Sequence, residues 1–304
     1  MLTLLSKTAL ENYGKKKKRI AADFLLVMTA FFWGVTFVVV KEAIKSTGVF
    51  VFLAQRFTLA TVIMTTIALL LRRPFKIDLI AKGAVMGFFL FGGYAFQTAA
   101  LLYTSASNTA FLTGLNVVLI PILGMLFHGY HVSRYTIAGV FLAALGLYLL
   151  STNGGALRPN YGDLLAGVCA ASVAMHVIYT GKYSVSGDVY WLTAIQLGIV
   201  ALLSVLFSVV LGERILVWHR EIAGALAITV LFATAFAFLV QTSMQRFTSP
   251  TRTALIFCLE PVFAALYAYF AIGERLGVPG FVGAVMILAG MVLSEIEPPA
   301  SSKK

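Results

Sequence analysis

The sequence predicts an all-α integral membrane protein of ten transmembrane helices, arranged as two inverted five-helix repeats with both termini in the cytoplasm. Three observations carry that expectation. Only 12% of the residues are charged and 60% are hydrophobic, with a mean hydropathy of +0.93, whereas soluble domains carry about 25% charged residues. Ten apolar runs, each close to the ~20 residues that cross a bilayer, follow one another along the chain. Two of those runs align with each other without a gap. The net charge of +11 is no sign of nucleic-acid binding, because the basic residues sit in short clusters between apolar runs rather than along one polar face.

Taken in order, residues 1–20 form a basic N-terminal segment whose GKKKKR run, Gly14 to Arg19, anchors the first span from the cytoplasmic side. No A-x-A cleavage pattern follows, so the first span is expected to stay in place. The spans are placed near 22–40, 49–71, 83–102, 106–127, 135–151, 162–180, 190–211, 222–243, 253–272 and 278–294. The linkers are short and rich in turn formers, as in STNGGALRPNYGD between spans five and six and GERLGVPG between nine and ten. The first repeat is expected over 21–152, the second over 160–296, and a short cytoplasmic tail over 297–304.

Orientation follows from Lys and Arg, which are retained on the cytoplasmic side. With the N-terminus inside, the cytoplasmic segments hold Lys7, Lys15 to Lys18, Arg19, Arg72, Arg73, Lys76, Lys82, Arg134, Lys182, Arg246, Arg252, Lys303 and Lys304. The outer loops hold only Lys41, Lys45, Arg158, Arg214, Arg220 and Arg275, and Arg56 lies within span two. Cys169 and Cys258 both fall inside spans and read as small packed side chains, not a disulfide.

The repeat appears when YTSASNTAFLTGLNVVLIPILG, Tyr103–Gly124, is laid against FTSPTRTALIFCLEPVFAALYA, Phe247–Ala268. Thr104 meets Thr248, Ser105 meets Ser249, Thr109 meets Thr253, and Leu115 meets Leu259. The same register pairs Gly129 with Gly273, Gly139 with Gly283 and Gly146 with Gly290, and it sets Asn116 opposite Glu260. A weaker match pairs ADFLL, Ala22–Leu26, with GDLLA, Gly162–Ala166. Five spans per half is an odd number, so the second half enters the membrane from the opposite side. Such inverted halves place a solute site near the midplane between them and imply alternating access.

FFWGVTF in span one, ALIFCLEPVFAALYAYFAIGERL across span nine and its exit, and GAVMILAGMVLS in span ten resemble the drug/metabolite transporter superfamily, in particular its ten-span EamA-type permeases. The resemblance covers essentially the whole chain after residue 20. It implies a multi-pass permease of the cytoplasmic (inner) membrane that moves small metabolites, often amino acids and often outward.

Glu260 heads the candidate residues. It lies about 10 Å into span nine at 1.5 Å per residue, where ionisation against lipid is expensive. It therefore faces the protein interior or a wet cavity, as a solute ligand, a proton carrier or a structural acid between helices. Pro261 removes a backbone donor beside it and suits a site or hinge. Arg56 is the natural counter-charge, at a similar depth in span two. If the two share a cavity, one suits a carboxylate and the other an ammonium; snorkelling to the interface is the alternative for Arg56. Asn116, Trp33, Tyr94, Gln97, His176, Tyr179, Gln196 and Gln241 are further polar or amphipathic residues within spans, each open to a pathway role or a helix-to-helix bond. Gly139, Gly146, Gly283 and Gly290 read as close-packing seams.

There is no GxxxxGK[ST] loop, no HExxH and no His/Cys cluster at metal spacing, so no cofactor or metal is expected. Span one has no acid between Phe24 and Val40, unlike the superfamily's four-span multidrug members. The partners expected are a small-molecule solute, the lipid bilayer and, as a candidate coupling ion, the proton; monomer and homodimer both stay open. An intramembrane enzyme or a receptor-like membrane protein without transport is the competing class. For the enzyme, the only deep histidine, His176, has no acid near it in sequence.

Overall fold

Every regular element is helical among the residues that the computed structural model describes, namely 2–294 apart from 105, 130, 131, 153, 157–159, 214, 215, 218, 219 and 274–276. The expected tail 297–304 and the loop residues Arg158, Arg214 and Arg275 lie outside them. In chain order the helices are α1 (Leu2–Thr47), α2 (Val49–Leu70), α3 (Asp78–Ala100), α4 (Ala106–Gly114), α5 (Asn116–His128), α6 (Arg134–Thr152) and α7 (Tyr161–Ser184). There follow α8 (Val189–Val210), α9 (Arg220–Val230), a π-helical turn (Leu231–Phe236), α10 (Ala237–Met244), α11 (Pro250–Phe257), α12 (Glu260–Ile272) and α13 (Val278–Ser294).

Eight runs are long and apolar enough to cross a membrane: Lys17–Thr36 within α1, α2, α3, Thr109–Phe127 across α4 and α5, α6, α7, α8, and Ile222–Phe247 through the π-turn. The last two predicted runs are shorter, with the ninth divided into α11 and α12 and the tenth formed by the 17 residues of α13. The basic run before the first span belongs to α1 itself, which begins at Leu2.

The caps explain where several helices start. Asn160 and Asp163 form a reciprocal capping box on α7, Asp188 accepts from the N–H groups of Tyr190 and Trp191 at the start of α8, and Ser249 with Pro250 opens α11. The start of α2 follows Gly48, which has a left-handed φ of 91° and no side chain to offer. Glu213, from the end of α8, supplies the acceptor for the Val51 N–H at 2.9 Å.

These contacts also define the two ends of the bundle. At one end, Gly48 meets Glu213, Gly162 meets Ala100 and Thr104, and Gly154 meets Pro279. At the other, Arg73 pairs with Asp188, and Arg252 holds Asp23 through two bonds of 3.0 and 2.7 Å. They are called the Gly48 end and the Arg252 end.

The principal neighbours are α6 with α13, α2 with α8, α3 with α7 and α8, and α1 with α12. The seam between α6 and α13 is built from the four predicted glycines. A Cβ on Gly139 would stand 2.4 Å from Gly290 O, and one on Gly290 2.5 Å from Gly139 O. Gly146 and Gly283 repeat the arrangement at 2.6 and 2.5 Å. Backbones this close admit no side chain between them, which is the packing that small residues give membrane helices.

The two prominent apolar cores meet at Trp33. One gathers α2, α3, α8 and the α9–α10 span around Phe52, Phe57 and Phe238, and the other gathers α1, α4 to α7, α11 and α13 around Leu26, Ile120 and Leu147.

Candidate functional site between the two cores

Two predicted spans are broken where continuous helices were expected. Between α4 and α5, the N–H groups of Leu115 and Val118 reach back only three residues, to Leu112 and Leu115. Between α11 and α12, the Leu259 N–H does the same to Ile256. Leu115 and Leu259 are partners in the sequence register, so both breaks fall at the same point of the repeat. The second half-helix of each pair, α5 and α12, then ends on a left-handed glycine, Gly129 at φ 64° and Gly273 at φ 68°. Proline does not account for both breaks. Pro261 sits in the first turn of α12, where proline is accepted, while Val117 occupies the matching place in α5 and Pro121 lies further along. The interruption lies just before Pro261, at Cys258–Leu259.

The breaks place Asn116 and Glu260 as the first residues of α5 and α12. Both line one cavity of about 570 Å³, together with Arg56, Trp33, Tyr94, Gln97 and His176. It reaches toward the Gly48 end, where the exposed Glu42 lines it, and its deep end lies at Gln241, which is 1% exposed. Of the sequence candidates, Tyr179 and Gln196 are not part of its wall. Tyr179 stacks on Phe89 and Tyr183 between α3 and α7. Gln196 stands behind His176, bonded to its Nε2 at 2.8 Å and to Thr242 Oγ1 at 3.0 Å.

The two opposite charges are held differently. Arg56 is buried and does not snorkel. Its Nε donates to Thr234 Oγ1 at 2.6 Å, and its Nη2 donates to Ala233 O at 3.1 Å and to Tyr94 Oη at 3.4 Å. The guanidinium also lies against the rings of Tyr94 and Phe57, 5.1 and 5.5 Å from their centroids. None of its partners is an acid. The Glu260 carboxylate makes no hydrogen bond or ion pair among the described residues. Gly34 brings α1 against the start of α12 so closely that a Cβ there would stand 2.4 Å from Glu260 O.

The rest of the wall is aromatic and amide. Trp33 packs edge-on to Phe257 and donates its Nε1 to Ala233 O at 2.9 Å. Asn116 turns back to Thr113 O at 2.8 Å, and Gln97 makes no side-chain hydrogen bond among the described residues. His176 contacts Gln196 and Thr180, with Phe238 at its edge. Gln241 donates to Gln245, whose own amide reaches Val177 O, so the floor is tied toward the Arg252 end. No group of three or more His, Cys, Asp or Glu able to hold a metal occurs among the described residues.

Sequence reasoning missed Thr234 and the breaks. A threonine in an apolar span carries no mark of its own, and neither break has a shared local motif beyond the repeat register.

The chain is similar to proteins of known classification along nearly its whole length. The EamA-like transporter family model matches it twice, at residues 20–152 and 160–295. An uncharacterized transporter of Archaeoglobus fulgidus is 33% identical over 276 residues, which cover 91% of this chain and 86% of that one. The uncharacterized transporter YyaM of Bacillus subtilis is 25% identical over 287 residues, covering 90% and 93%. A WAT1-related chloroplastic protein of Arabidopsis thaliana is 24% identical over 286 residues, covering 88% and 68%. A solved crystal structure with 16% identity superposes with a TM-score of 0.78 over 91% of this chain and 98% of its own, a likeness of fold alone.

Proposed function

Because the chain belongs to the EamA-like transporter family, we propose that it is a secondary or facilitated transporter of a small zwitterionic metabolite, an amino acid or a close relative. It works by alternating access in the cytoplasmic membrane, in the outward direction. The observation that carries this reading is the pair of opposite charges on one cavity wall. Arg56 has no acid beside it, and Glu260 has no partner at all among the described residues. Unpaired charges inside a bilayer-spanning bundle are costly, and a solute carrying both a carboxylate and an ammonium compensates both at once. The outward direction rests on the family resemblance.

The ten helices act as two inverted halves, 21–152 and 160–296, with both termini cytoplasmic. The twofold match of the family model supports this division. So does the glycine seam: exchanging Gly139 with Gly283 and Gly290 with Gly146 turns one contact pair into the other, as an axis in the membrane plane requires. The basic clusters support a cytoplasmic Arg252 end, by the retention of Lys and Arg on that side. The cavity then faces outward, and the Asp23–Arg252 bridge with the Gln241–Gln245–Val177 ties closes the inner side.

The test is counterflow of a radiolabelled amino-acid mixture into proteoliposomes, with and without a pH gradient, for the natural protein and Glu260→Gln. Counterflow in the natural protein that is lost in the variant is expected, and dependence on the gradient assigns proton coupling to Glu260. Equal counterflow in both proteins would make Glu260 structural. No uptake of any amino acid by the natural protein would overturn the solute class.

A further inference from the structure

The span that contains the π-helical turn Leu231–Phe236 has neither glycine nor proline at that point; its sequence is LFATAF. A π-turn is rare and recurs at functional sites, so its contacts identify what it does here. Thr234 Oγ1 donates its one proton to Thr229 O, five residues back, at 2.8 Å. Its lone pairs are left for the Arg56 Nε–H at 2.6 Å. The preceding carbonyl, Ala233 O, accepts both Arg56 Nη2 at 3.1 Å and Trp33 Nε1 at 2.9 Å. One turn of one helix thus holds the guanidinium from α2 and the indole from α1.

A guanidinium is planar, so fixing Nε and Nη2 fixes the direction of Nη1. Nη1 makes no hydrogen bond among the described residues, and Arg56 lines the cavity. Two donors on a full positive charge, held in one plane by neutral oxygens, are suited to a carboxylate.

We propose that the π-helical turn is a positioning device for the solute site, in which Thr234 Oγ1 and Ala233 O hold Arg56 with its Nη1 edge presented to a carboxylate in the cavity. Thr234 is a positioning residue that does not touch solute. This rests on the reading that Arg56 meets the solute, and the experiment separates the two.

Protein labelled with ¹⁵N-arginine in lipid nanodiscs gives an Nε–H resonance for Arg56, assigned by its loss in Arg56→Lys. The expected result is a slowly exchanging Nε–H that persists in Thr234→Ser and exchanges rapidly in Thr234→Val and Thr234→Ala. Titration with acetate shifts this resonance, and titration with methylammonium leaves it in place. In counterflow, Thr234→Val raises the half-saturating amino-acid concentration about tenfold, the loss of about 1.4 kcal/mol, with the maximal rate within about twofold; Thr234→Ser restores it. Unchanged exchange in both Thr234→Val and Thr234→Ala overturns the positioning role. Lost protection with no change in acetate response or half-saturation overturns its connection to the site. A natural protein that responds to acetate yet transports no amino acid retains this inference and overturns the amino-acid reading of the solute. If Thr234→Val does not fold, the Ala and Ser variants carry the same comparison.

Discussion

The broken helices α4–α5 and α11–α12 share a design and differ in chemistry. Both interrupt at register-equivalent leucines, both end on a left-handed glycine, and both place a polar residue first in the second half-helix. The Asn116 amide closes on the preceding half-helix, donating its Nδ2 to Thr113 O at 2.8 Å. Glu260 has nothing to bond among the described residues. The break itself is thus a property of the repeat, whereas the charge belongs to one half. A neutral amide can close on itself, but a carboxylate in the same place stays available to whatever enters the cavity.

The largest test of that difference is Glu260→Gln, which makes the two halves alike. Counterflow is expected to fall at least 100-fold while the purified variant remains monodisperse, since losing the proposed pair between Glu260 and the solute's ammonium costs about 3 kcal/mol or more. A variant that retains activity would show the asymmetry to be idle.

The seam is the control, because there the halves carry the same residue. Gly146→Leu and its register partner Gly290→Leu each drive a side chain into backbone within 2.6 Å. Overpacking of this kind costs about 1–3 kcal/mol or more. Similar losses of thermal stability in detergent are expected from the two, by several degrees each. A large loss in one and none in the other would break the equivalence of the halves at the seam.

The ends of the bundle give a smaller effect. Arg252 and Asp23 are joined by a bidentate bridge, with side-chain exposures of 16% and 18%, while Asp163, which the weaker ADFLL–GDLLA match sets opposite Asp23, is held by Thr104 Oγ1 at 2.9 Å. Arg252→Ala is expected to favour the state open at the Arg252 end. The readout is a several-fold faster maleimide reaction at a cysteine placed at Gln241, added from that side. Unchanged labelling would remove the bridge from the closure. The smallest effect is expected from Asn116→Ala, with counterflow within about threefold of the natural protein. A drop as deep as that of Glu260→Gln would erase the distinction between the two breaks.

The helices and their limits were largely legible from composition and turn residues. Apolar runs of spanning length have few alternatives in lipid, where each backbone polar group must be satisfied within the segment. The four glycines read as close-packing seams in the sequence, and the structure shows which helices they join: Gly139 meets Gly290 and Gly146 meets Gly283 across α6 and α13. The breaks were not legible, because spans four and nine each read as one continuous run of spanning length despite Asn116 and Glu260, and hydropathy is blind to a hydrogen bond that shortens from four residues to three. Nor was Thr234, whose role depends on the π-register of its own helix and on the reach of Arg56 from another.

By itself the sequence determined the solvent, the run of helices, the register between the halves, and the presence of one acid and one arginine deep in the spans. Those follow from local quantities: hydrophobicity, length, and spacing along the chain. The tertiary structure decided that Arg56 and Glu260 line one cavity, that Gln196 and Tyr179 stand outside it, and that threonine and backbone oxygens, not an acid, hold the arginine. Such outcomes depend on which faces of distant helices meet, and that is set by packing between segments more than a hundred residues apart.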